Sequence, residues 1–304
     1  MRHLALLFSL LLATPLWSQD YQKHVNPMIG TDATGHTFPG ATAPFGMVQL
    51  SPDTKIDNSW EGCSGYHYAD NIIYGFSHTH LSGTGVSDYG DIMLMPTMGK
   101  PSLDNKLYAS HFSHTHEKAS AGFYSVKLDK HNIDVRLTTS TRVGFHEYTF
   151  NQKGQANIIL DLNHRDVLLD GYVKQIDEKT YAVFRRSEAW AQDQHLYARI
   201  EFDTAMKITD FEAQFNHNKH TFYGDRVAVS FSKEVRKGDK IKVKVALSHT
   251  GDAGAKLNAT EITHWNFDKV TKQTQQLWNK ELSKLKSPQK TRTSLPFFIP
   301  PCIT

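Results

Sequence analysis

The sequence predicts a mainly β fold, an antiparallel β-sandwich that follows a long ordered loop region and precedes a helix. Short segments between about residues 121 and 248, such as 133–138 and 241–247, alternate apolar and polar side chains and are rich in β-branched and aromatic residues. This period of two is typical of half-buried strands. Turn residues around Gly154 and Gly238 separate the segments, and no helical period lies between them. Many short strands without intervening helices predict a sandwich.

The chain before these strands, from about residue 20 to 101, is rich in Gly, Pro, Ser, Thr and His and shows little regular periodicity. Glycine permits tight turns, so this composition predicts loops. Aromatic residues throughout the region indicate that the loops are ordered: Phe38, Phe45, Trp60, Tyr66, Tyr68, Tyr74 and Phe76. Long ordered loops commonly carry functional residues, so we expect a site in this region.

The chain after the strands predicts one amphipathic helix. Its apolar residues lie three or four positions apart between Phe267 and Leu285, which matches a helix of about 20 residues. Thr260 and Glu261 form a loose start signal. A long helix after a sandwich is expected to connect it to a following domain. Without that domain, we expect its apolar stripe to be exposed: Phe267, Val270, Trp278, Leu282 and Leu285.

Both ends of the chain are expected to lie outside the folded domain. Residues 1–18 combine Arg2, an apolar stretch and small residues near Ser18, which is the layout of a secretory signal peptide. Residues 288–304 show no period, and from about Lys290 we predict a frameshifted or disordered tail. The predicted division is a signal peptide at 1–18, a sandwich domain at 19–255, a linker helix at 256–287 and an aberrant tail at 288–304.

The composition excludes several classes of protein. A count of 34 Lys and Arg against 31 Asp and Glu gives a net charge of +3, too little for a general nucleic-acid binder, so no nucleic-acid partner is expected. Two cysteines, Cys63 and Cys302, are too few for a disulfide scaffold or a multi-cysteine zinc cluster. Beyond the leader no apolar run approaches the roughly 18–20 residues of a membrane span. The mature protein is expected to be periplasmic or extracellular, with no membrane contact after signal cleavage.

Two pairs of histidines are candidate metal ligands. His78 and His80 are two residues apart, which would place both rings on one side of a strand, and His114 and His116 repeat this spacing beside Glu117. A total of 17 histidines makes chance pairs expected, and Glu117 follows the second pair too closely for a cupin-like metal pattern. We therefore favour rings that hydrogen-bond loop backbone over a metal site.

The loop around Trp60 is a candidate binding segment. Between Asn58 and Tyr68, small polar residues surround aromatic rings. An aromatic face can stack on the C–H face of a sugar ring while neighbouring amides and hydroxyls bond its hydroxyl groups. Composition favours this interpretation of Trp60 no more than a second one, in which the ring is a wedge packed beneath the loop.

An ordered series of motifs closely resembles the N-terminal domain of glycoside hydrolase family 92, the exported calcium-dependent α-mannosidases. The resemblance runs from about Gln22 to Leu285, nearly the whole mature chain. Each motif is modest alone, but the series is specific. The motifs are Asn26-Pro-Met-Ile-Gly-Thr, Gly35-His-Thr-Phe-Pro-Gly-Ala, Pro44-Phe-Gly-Met-Val-Gln-Leu-Ser-Pro-Asp, Ser59-Trp, Cys63-Ser-Gly-Tyr-His, Gly75-Phe-Ser-His-Thr-His-Leu-Ser-Gly-Thr-Gly, Glu117-Lys-Ala, Arg142-Val-Gly-Phe-His and Trp265-Asn-Phe-Asp-Lys.

The resemblance implies a β-sandwich joined by a helical linker to an (α/α)6 barrel, which is missing from this chain. Family members are inverting exo-mannosidases, often acting on α-1,2 linkages of N-glycans or mannans. Their catalytic carboxylates and most calcium ligands belong to the barrel, so no catalytic or metal-binding residue is assigned here, and this chain alone is not expected to bind calcium tightly. The implied partners are a mannose-containing glycan and the C-terminal helical domain. The matching pocket-wall residues are His36, Phe38, Trp60 and Cys63.

Two other functions compete with a truncated mannosidase that is inactive alone. One is a stand-alone carbohydrate-binding sandwich module, against which the predicted helix argues because its apolar stripe would have no use there. The other is a histidine-based metal enzyme, which would contain metal when purified. The segment 248–255 departs from the family pattern, which leaves the geometry between the last strand and the linker open.

Overall fold

A computed structural model describes residues 20–57 and 59–285. The predicted signal peptide and the predicted tail, with Lys290 and Cys302, lie outside these residues.

The described residues form seventeen strands and three α-helices. The strands are β1 Ala41–Thr42, β2 Gln49–Asp53, β3 Ile72–Ile73, β4 Gly75–Ser77, β5 Met93–Met98, β6 Ser110–His111, β7 Lys118–Ser120, β8 Phe123–Leu128, β9 Ile133–Thr139, β10 Val143–Phe150, β11 Gly154–Asp161, β12 Val167–Gln175, β13 Thr180–Glu188, β14 Gln194–Phe202, β15 Lys207–Asn216, β16 Thr221–Val235 and β17 Lys240–Ser248. The helices are α1 Asn105–Tyr108, α2 Asp252–Asn258 and α3 Phe267–Leu282.

Fifteen of these strands form one long antiparallel sheet. Its order is β1-β2-β4-β5-β11-β16-β12-β13-β14-β17-β10-β9-β8-β7, with β15 paired to β16 beside this path, and β3 pairs separately with β6. The sheet folds back on itself, because β1 contacts β8 and β9, which lie near the opposite end of the strand order. One apolar core fills the space between the two layers and takes side chains from both, such as Leu50 and Val135. The predicted β-sandwich is therefore confirmed.

The predicted strands all form, but the sequence patterns missed others. The strand β15 carries no regular apolar period, because none of its residues is fully buried and its pairing with β16 shifts register at two places. The strand β5 has the opposite property, since five of its six residues are buried in a nearly continuous apolar run. Such a run lacks the alternation that identifies a half-buried strand.

The helix α3 begins later than its weak start signal and buries its apolar stripe. Its N-cap is Asn266, whose side chain accepts a hydrogen bond from the backbone N–H of Lys269 at 3.0 Å. The expectation of an exposed stripe is wrong for every residue except Leu285, because the sheet and the N-terminal segment cover this face. The buried residues of the helix are Phe267, Val270, Thr274, Trp278 and Leu282.

Polar contacts fix the helix to two parts of the domain. The indole N–H of Trp278 donates to the carbonyl of Thr42 at 2.7 Å. The side-chain oxygen of Asn279 accepts from the backbone N–H of Gln22 at 2.9 Å. At the other end, Phe267 packs against Phe145. Helix α3 is thus part of the folded domain and ties its N-terminal segment to the sandwich.

A second short helix, α2, occupies the segment that departs from the family pattern. It follows Gly251, whose φ of 131° lies in the region that favours glycine. The predicted division between residues 255 and 256 falls inside this helix, so helix formation begins before the predicted linker does. No helix within residues 20–57 and 59–285 is long and apolar enough to cross a membrane.

Candidate functional site

Trp60 stands exposed at the start of a tight turn. The N–H of Cys63 donates to the carbonyl of Trp60 at 3.3 Å, which closes the turn. The side chain is 56% exposed, and its ring meets the ring of His36 edge to face, with centroids 4.5 Å apart. This exposure disfavours the wedge interpretation, because a wedge would be buried beneath the loop. Trp60 instead offers a free aromatic surface held on one side.

His36 and Cys63 form a buried pair beneath Trp60. The Sγ of Cys63 lies 3.3 Å from Nδ1 of His36. Burial raises the pKa of the Cys63 thiol, so the neutral thiol can donate to the imidazole and is not an activated nucleophile. The backbone of His36 has a φ of 53°, an uncommon left-handed conformation for a residue with a side chain. The sequence-predicted residues His36, Trp60 and Cys63 are therefore brought together.

The glycine-rich loop between β4 and β5 covers this pair. The N–H of Gly83 donates to the carbonyl of His36 at 2.7 Å. A methyl group added at Gly85 would lie 3.2 Å from Nε1 of Trp60, and Gly85 has a φ of 69°. A side chain at Gly85 would thus be strained and would crowd the tryptophan. The glycine keeps the edge of Trp60 open.

Phe38 is the predicted wall residue that the structure places elsewhere. It is buried in the main apolar core, and its ring lies 5.0 Å from that of His80. Phe38 therefore supports the loop from below, and its contact with a ligand would require the covering residues to move.

Arg165 and Asp166 add charged groups that the sequence analysis missed. One guanidinium nitrogen of Arg165 donates to the carbonyl of Cys63 and to Oγ of Ser87, both at 2.6 Å. Asp166 is buried, and neither of its carboxyl oxygens has a hydrogen-bond partner within the described residues. Burial raises the pKa of Asp166 to about 7, and the nearby charges of Asp91 and Asp88 act in the same direction against its arginine neighbours. Both residues follow a buried strand and a turn, and this position in the sequence does not identify them as site residues.

A buried carboxylate, Asp53, organises the loops below the site. Its two oxygens accept from Nε2 of His80 at 2.9 Å and from Nε2 of His164 at 3.0 Å. Burial opposes ionisation, but the two histidines hold the pKa of Asp53 well below its usual range. Asp53 ends one of the family-like motifs, yet its role depends on His164, which is more than a hundred residues away in the chain.

Three of the four histidines considered as metal ligands bond a backbone carbonyl through one ring nitrogen. Nδ1 of His78 lies 2.6 Å from the carbonyl of Ile92, and Nδ1 of His80 lies 2.7 Å from that of Gln49. In the second pair, Nε2 of His114 lies 2.7 Å from the carbonyl of Tyr68. The two rings of the first pair thus have different partners.

A second buried cluster surrounds Glu117. Its carboxylate accepts from the hydroxyls of Tyr66 and Tyr124 at 3.0 and 2.6 Å, and lies 2.5 Å from Nδ1 of His114. The ring of His114 stacks on that of Tyr68 with centroids 4.1 Å apart. The carboxylate of Glu117 is therefore fully engaged in structural bonds.

The described residues do not assemble a metal centre from the side chains that usually form one. Within residues 20–57 and 59–285, no three His, Cys, Asp or Glu residues are grouped to hold a metal ion. The acids nearest the site are engaged or solitary: Asp53 bonds two histidines, whereas Asp166 stands alone. These residues do not fit a calcium ion by themselves, and we derive no chemical step through one.

Comparison with known proteins places the site in a family. A family model described as the glycosyl hydrolase family 92 N-terminal domain matches residues 24–248. A curated protein of Arthroderma benhamiae, named an uncharacterized secreted glycosidase, is 25% identical over 86% of this chain and 38% of its own length. The chain thus spans well under half of this relative.

Solved structures share the fold. A family GH92 α-mannosidase from Bacteroides thetaiotaomicron, solved in complex with mannoimidazole, is 29% identical and superposes with a TM-score of 0.83 over 88% of this chain and 37% of that one. A family GH92 inverting mannosidase from the same species is 22% identical, with a TM-score of 0.76 over 89% of this chain and 37% of that one. The second likeness shows the fold alone.

Proposed function

The chain belongs to glycosyl hydrolase family 92, of which it carries the N-terminal domain, and from this premise we propose that it forms the substrate-facing wall of an exo-acting, inverting α-mannosidase. The single observation that carries the proposal is Trp60, an exposed ring fixed edge to face on His36 within a family-matched segment. The relative of 29% identity is an α-mannosidase solved with mannoimidazole. On that basis we propose that the substrate is a mannose-containing glycan, and that α-1,2 linkages of N-glycans or mannans are the first to test.

In this proposal Trp60 supplies the face on which a sugar ring stacks, and the other wall residues support it. His36 holds the indole from one side, and its own Nε2 is buried without a hydrogen-bond partner within the described residues. Cys63 fixes His36 from below, and Phe38 packs under the loop. The wall thus combines one apolar platform with polar atoms at its edge, as sugar recognition requires.

Hydrolysis with inversion needs two carboxyl groups about 6.5–9.5 Å apart, one to protonate the leaving oxygen and one to activate water. We propose that a helical domain supplies both, together with most ligands of the calcium ion that the family uses. That domain is then the protein partner of this chain. We also propose export to the periplasm or the cell exterior, which agrees with the word secreted in the name of the Arthroderma relative.

A chimaeric enzyme tests the proposal. Residues 20–285 would be joined to the helical part of the Bacteroides α-mannosidase, and release of nitrophenol from an aryl α-mannoside would be followed with calcium present. We expect turnover by the chimaera and none by the helical part alone. Trp60→Ala should lower kcat/KM by about five- to a hundredfold, since base–aromatic stacking contributes about 1–3 kcal/mol and a sugar–aromatic contact is expected to be similar.

The matched control is Phe211→Ala, another exposed aromatic residue, which packs on the β15–β16 pair and should leave kcat/KM unchanged. A folded chimaera that turns over equally well with and without Trp60 would remove this residue from the pocket wall.

A stand-alone carbohydrate-binding module is the second candidate, and one observation favours it. Because α3 buries its apolar stripe on its own domain, the helix no longer argues against an independent module. The two functions predict different affinities of the chain for a mannose oligosaccharide. A module should bind a mannose oligosaccharide in the micromolar range by itself, whereas one wall of a mannosidase pocket should bind it only in the millimolar range.

A further inference from the structure

A second exposed tryptophan lies at the tip of the β13–β14 hairpin. Trp190 is 70% exposed, more than any other large apolar side chain in the described part of the chain. The indole ring of Trp190 is therefore free to contact a ligand. The hairpin is fixed at its base, where Arg186 and Asp193 form an ion pair at 2.7 Å.

One loop connects this tryptophan with Trp60. The backbone N–H of Ala191, next to Trp190, donates to Oδ2 of Asp88 at 2.9 Å. Asp88 follows Gly85 by three positions, and three residues span at most about 10 Å. Gly85 lies beside Trp60, since a methyl group added there would come within 3.2 Å of the indole nitrogen. The same short stretch therefore passes Trp60 at one end and bonds the hairpin of Trp190 at the other.

Several buried polar atoms in or against the loop between the two rings have no hydrogen-bond partner within the described residues. The carboxyl group of Asp166, close enough to Asp88 for their charges to interact, has no hydrogen-bond partner within the described residues. The same holds for Oγ of Ser82 and Nε2 of His36. Buried polar atoms in proteins are nearly always bonded, so a group of unpartnered atoms points to bound water or to a ligand that carries hydroxyl groups.

We propose that Trp190 is a second aromatic platform, which binds a further sugar unit of the glycan whose terminal unit stacks on Trp60. Two exposed aromatic rings near the two ends of one short glycine-containing stretch suit an oligosaccharide, because each of its sugar units presents an apolar ring face. A protein partner would instead favour a contiguous apolar patch between the rings. The identity of the sugar rests on the proposed function, whereas the two-platform geometry rests on the contacts of Asp88 and Gly85.

Binding of two α-mannosides to the purified full chain tests the inference. The probes are methyl α-mannoside, which has one ring, and an α-1,2-linked mannotriose, with affinities measured by titration in protein-observed NMR. Trp60→Ala should weaken the binding of both. Trp190→Ala should weaken mannotriose by about five- to a hundredfold and leave methyl α-mannoside unchanged, because only the longer ligand reaches the hairpin. The control Phe211→Ala should bind both ligands as the unmodified chain does.

The possible outcomes test the second platform and the proposed function separately. Mannotriose binding that depends on Trp60 but not on Trp190 overturns the second platform and leaves the proposed function standing. If the unmodified chain binds neither mannoside at tens of millimolar, the proposed function fails and the second platform fails with it. Equal unfolding midpoints for the variants establish that the substitutions act on binding, as expected for side chains exposed at 56% and 70%.

Discussion

At the scale of single residues, hydrogen-bond partners distinguish the buried histidines. The ring nitrogens of His80 face oxygen atoms, the carbonyl of Gln49 on one side and the carboxylate of Asp53 and the hydroxyl of Ser77 on the other. His78 differs, because its Nδ1 donates to Ile92 and its Nε2 lies 2.9 Å from Nε2 of His146. One nitrogen of that contact must be an unprotonated acceptor.

His78 and His146 belong to a neutral chain of hydrogen bonds. The hydroxyl of Tyr148 donates to Nδ1 of His146, whose Nε2 then donates to Nε2 of His78. Burial lowers the pKa of His78 to about 3 and holds that of His146 well below its usual value. The two rings stay uncharged in the folded protein but can take up protons once the chain unfolds. This difference in bound protons makes stability depend on pH.

This linkage predicts that acid destabilises the domain through His78 and His146. Both take up protons in the unfolded chain below about pH 6.5 but not in the folded one, so their contribution is complete above that pH and declines toward pH 3. Each costs about 1.4 kcal/mol per pH unit in this range. Asp166 acts in the opposite direction between about pH 4 and 7, because its folded pKa is raised. Urea unfolding of His146→Gln should show a slope of stability against pH that is smaller by about one proton.

Two further variants test whether the slope of stability against pH comes from His78 and His146. His24→Gln replaces an exposed histidine and should keep the slope of the unmodified chain. Asp166→Asn removes the opposing group and should make the slope steeper. An unchanged slope in His146→Gln would mean that the buried pair is protonated in the folded state.

The candidate site was only partly predictable from individual residues. Trp60, His36 and Cys63 are close in sequence and carry recognisable motifs, so their proximity could be expected. Arg165 and Asp166 follow β11, and Trp190 ends a hairpin, so only the strand order brings them to the glycine-rich loop. A single sequence does not specify contacts between loops that are about a hundred residues apart.

At the scale of elements, the spacing of apolar residues showed which side of a helix or strand is buried, but not which part of the protein covers that side. The spacing of apolar residues identified α3, and the alternation of β8 or β14 identified half-buried strands. The same spacing suggested a surface awaiting another domain, whereas the sheet and the N-terminal segment already cover it. The strand β5 is buried on both faces, and the pairing of β15 with β16 shifts register twice, so neither has a regular apolar period of two and both were missed.

The burial of α3 predicts that Trp278 stabilises the whole domain. Its ring packs with Ala121 and Leu282, and its indole N–H bonds the carbonyl of Thr42. Trp278→Ala should lower the free energy of unfolding by about 3–5 kcal/mol, the usual range for a buried tryptophan. The adjacent Leu277 is 45% exposed, and Leu277→Ala should change stability by only about 0.5 kcal/mol. Urea unfolding followed by far-UV circular dichroism measures both.

The same experiment distinguishes a structural helix from a loosely attached linker. If α3 is only a linker, Trp278→Ala should melt the helix while the unfolding midpoint of the sheet stays unchanged. A common shift of the helix and sheet signals would show that they unfold together.

At the scale of the whole molecule, the described residues contain one large apolar core, on which α3 also buries its apolar stripe. We propose that the same residues supply only one wall of a substrate pocket. The chain spans about two fifths of its mannosidase relatives, which is consistent with a pocket whose other wall belongs to a different part of such a protein.

We predict that the chain folds but does not hydrolyse mannosides by itself, and the bonds of two buried acids near the site support this prediction. Inversion requires one carboxyl group that donates a proton and another that accepts one from water. Asp53 is held by His80 and His164, and the carboxylate of Asp91 by Thr79, Gln194 and Arg185, so neither is free for such a transfer. Incubation of the purified chain with an aryl α-mannoside and calcium should therefore release no mannose.

Calcium-dependent release that persists through rigorous purification would contradict this prediction and would place a catalytic pair within the chain. Asp88 and Asp91, the acids of the glycine-rich loop, would then be the first to replace, followed by Asp166. Asp166 has two unpartnered oxygens and a pKa near neutrality, the properties expected of a general acid. Its burial beneath the loop argues against that role, because a proton donor must reach the glycosidic oxygen. Loss of the release in Asp166→Asn, with the fold intact, would show that the loop opens to admit substrate.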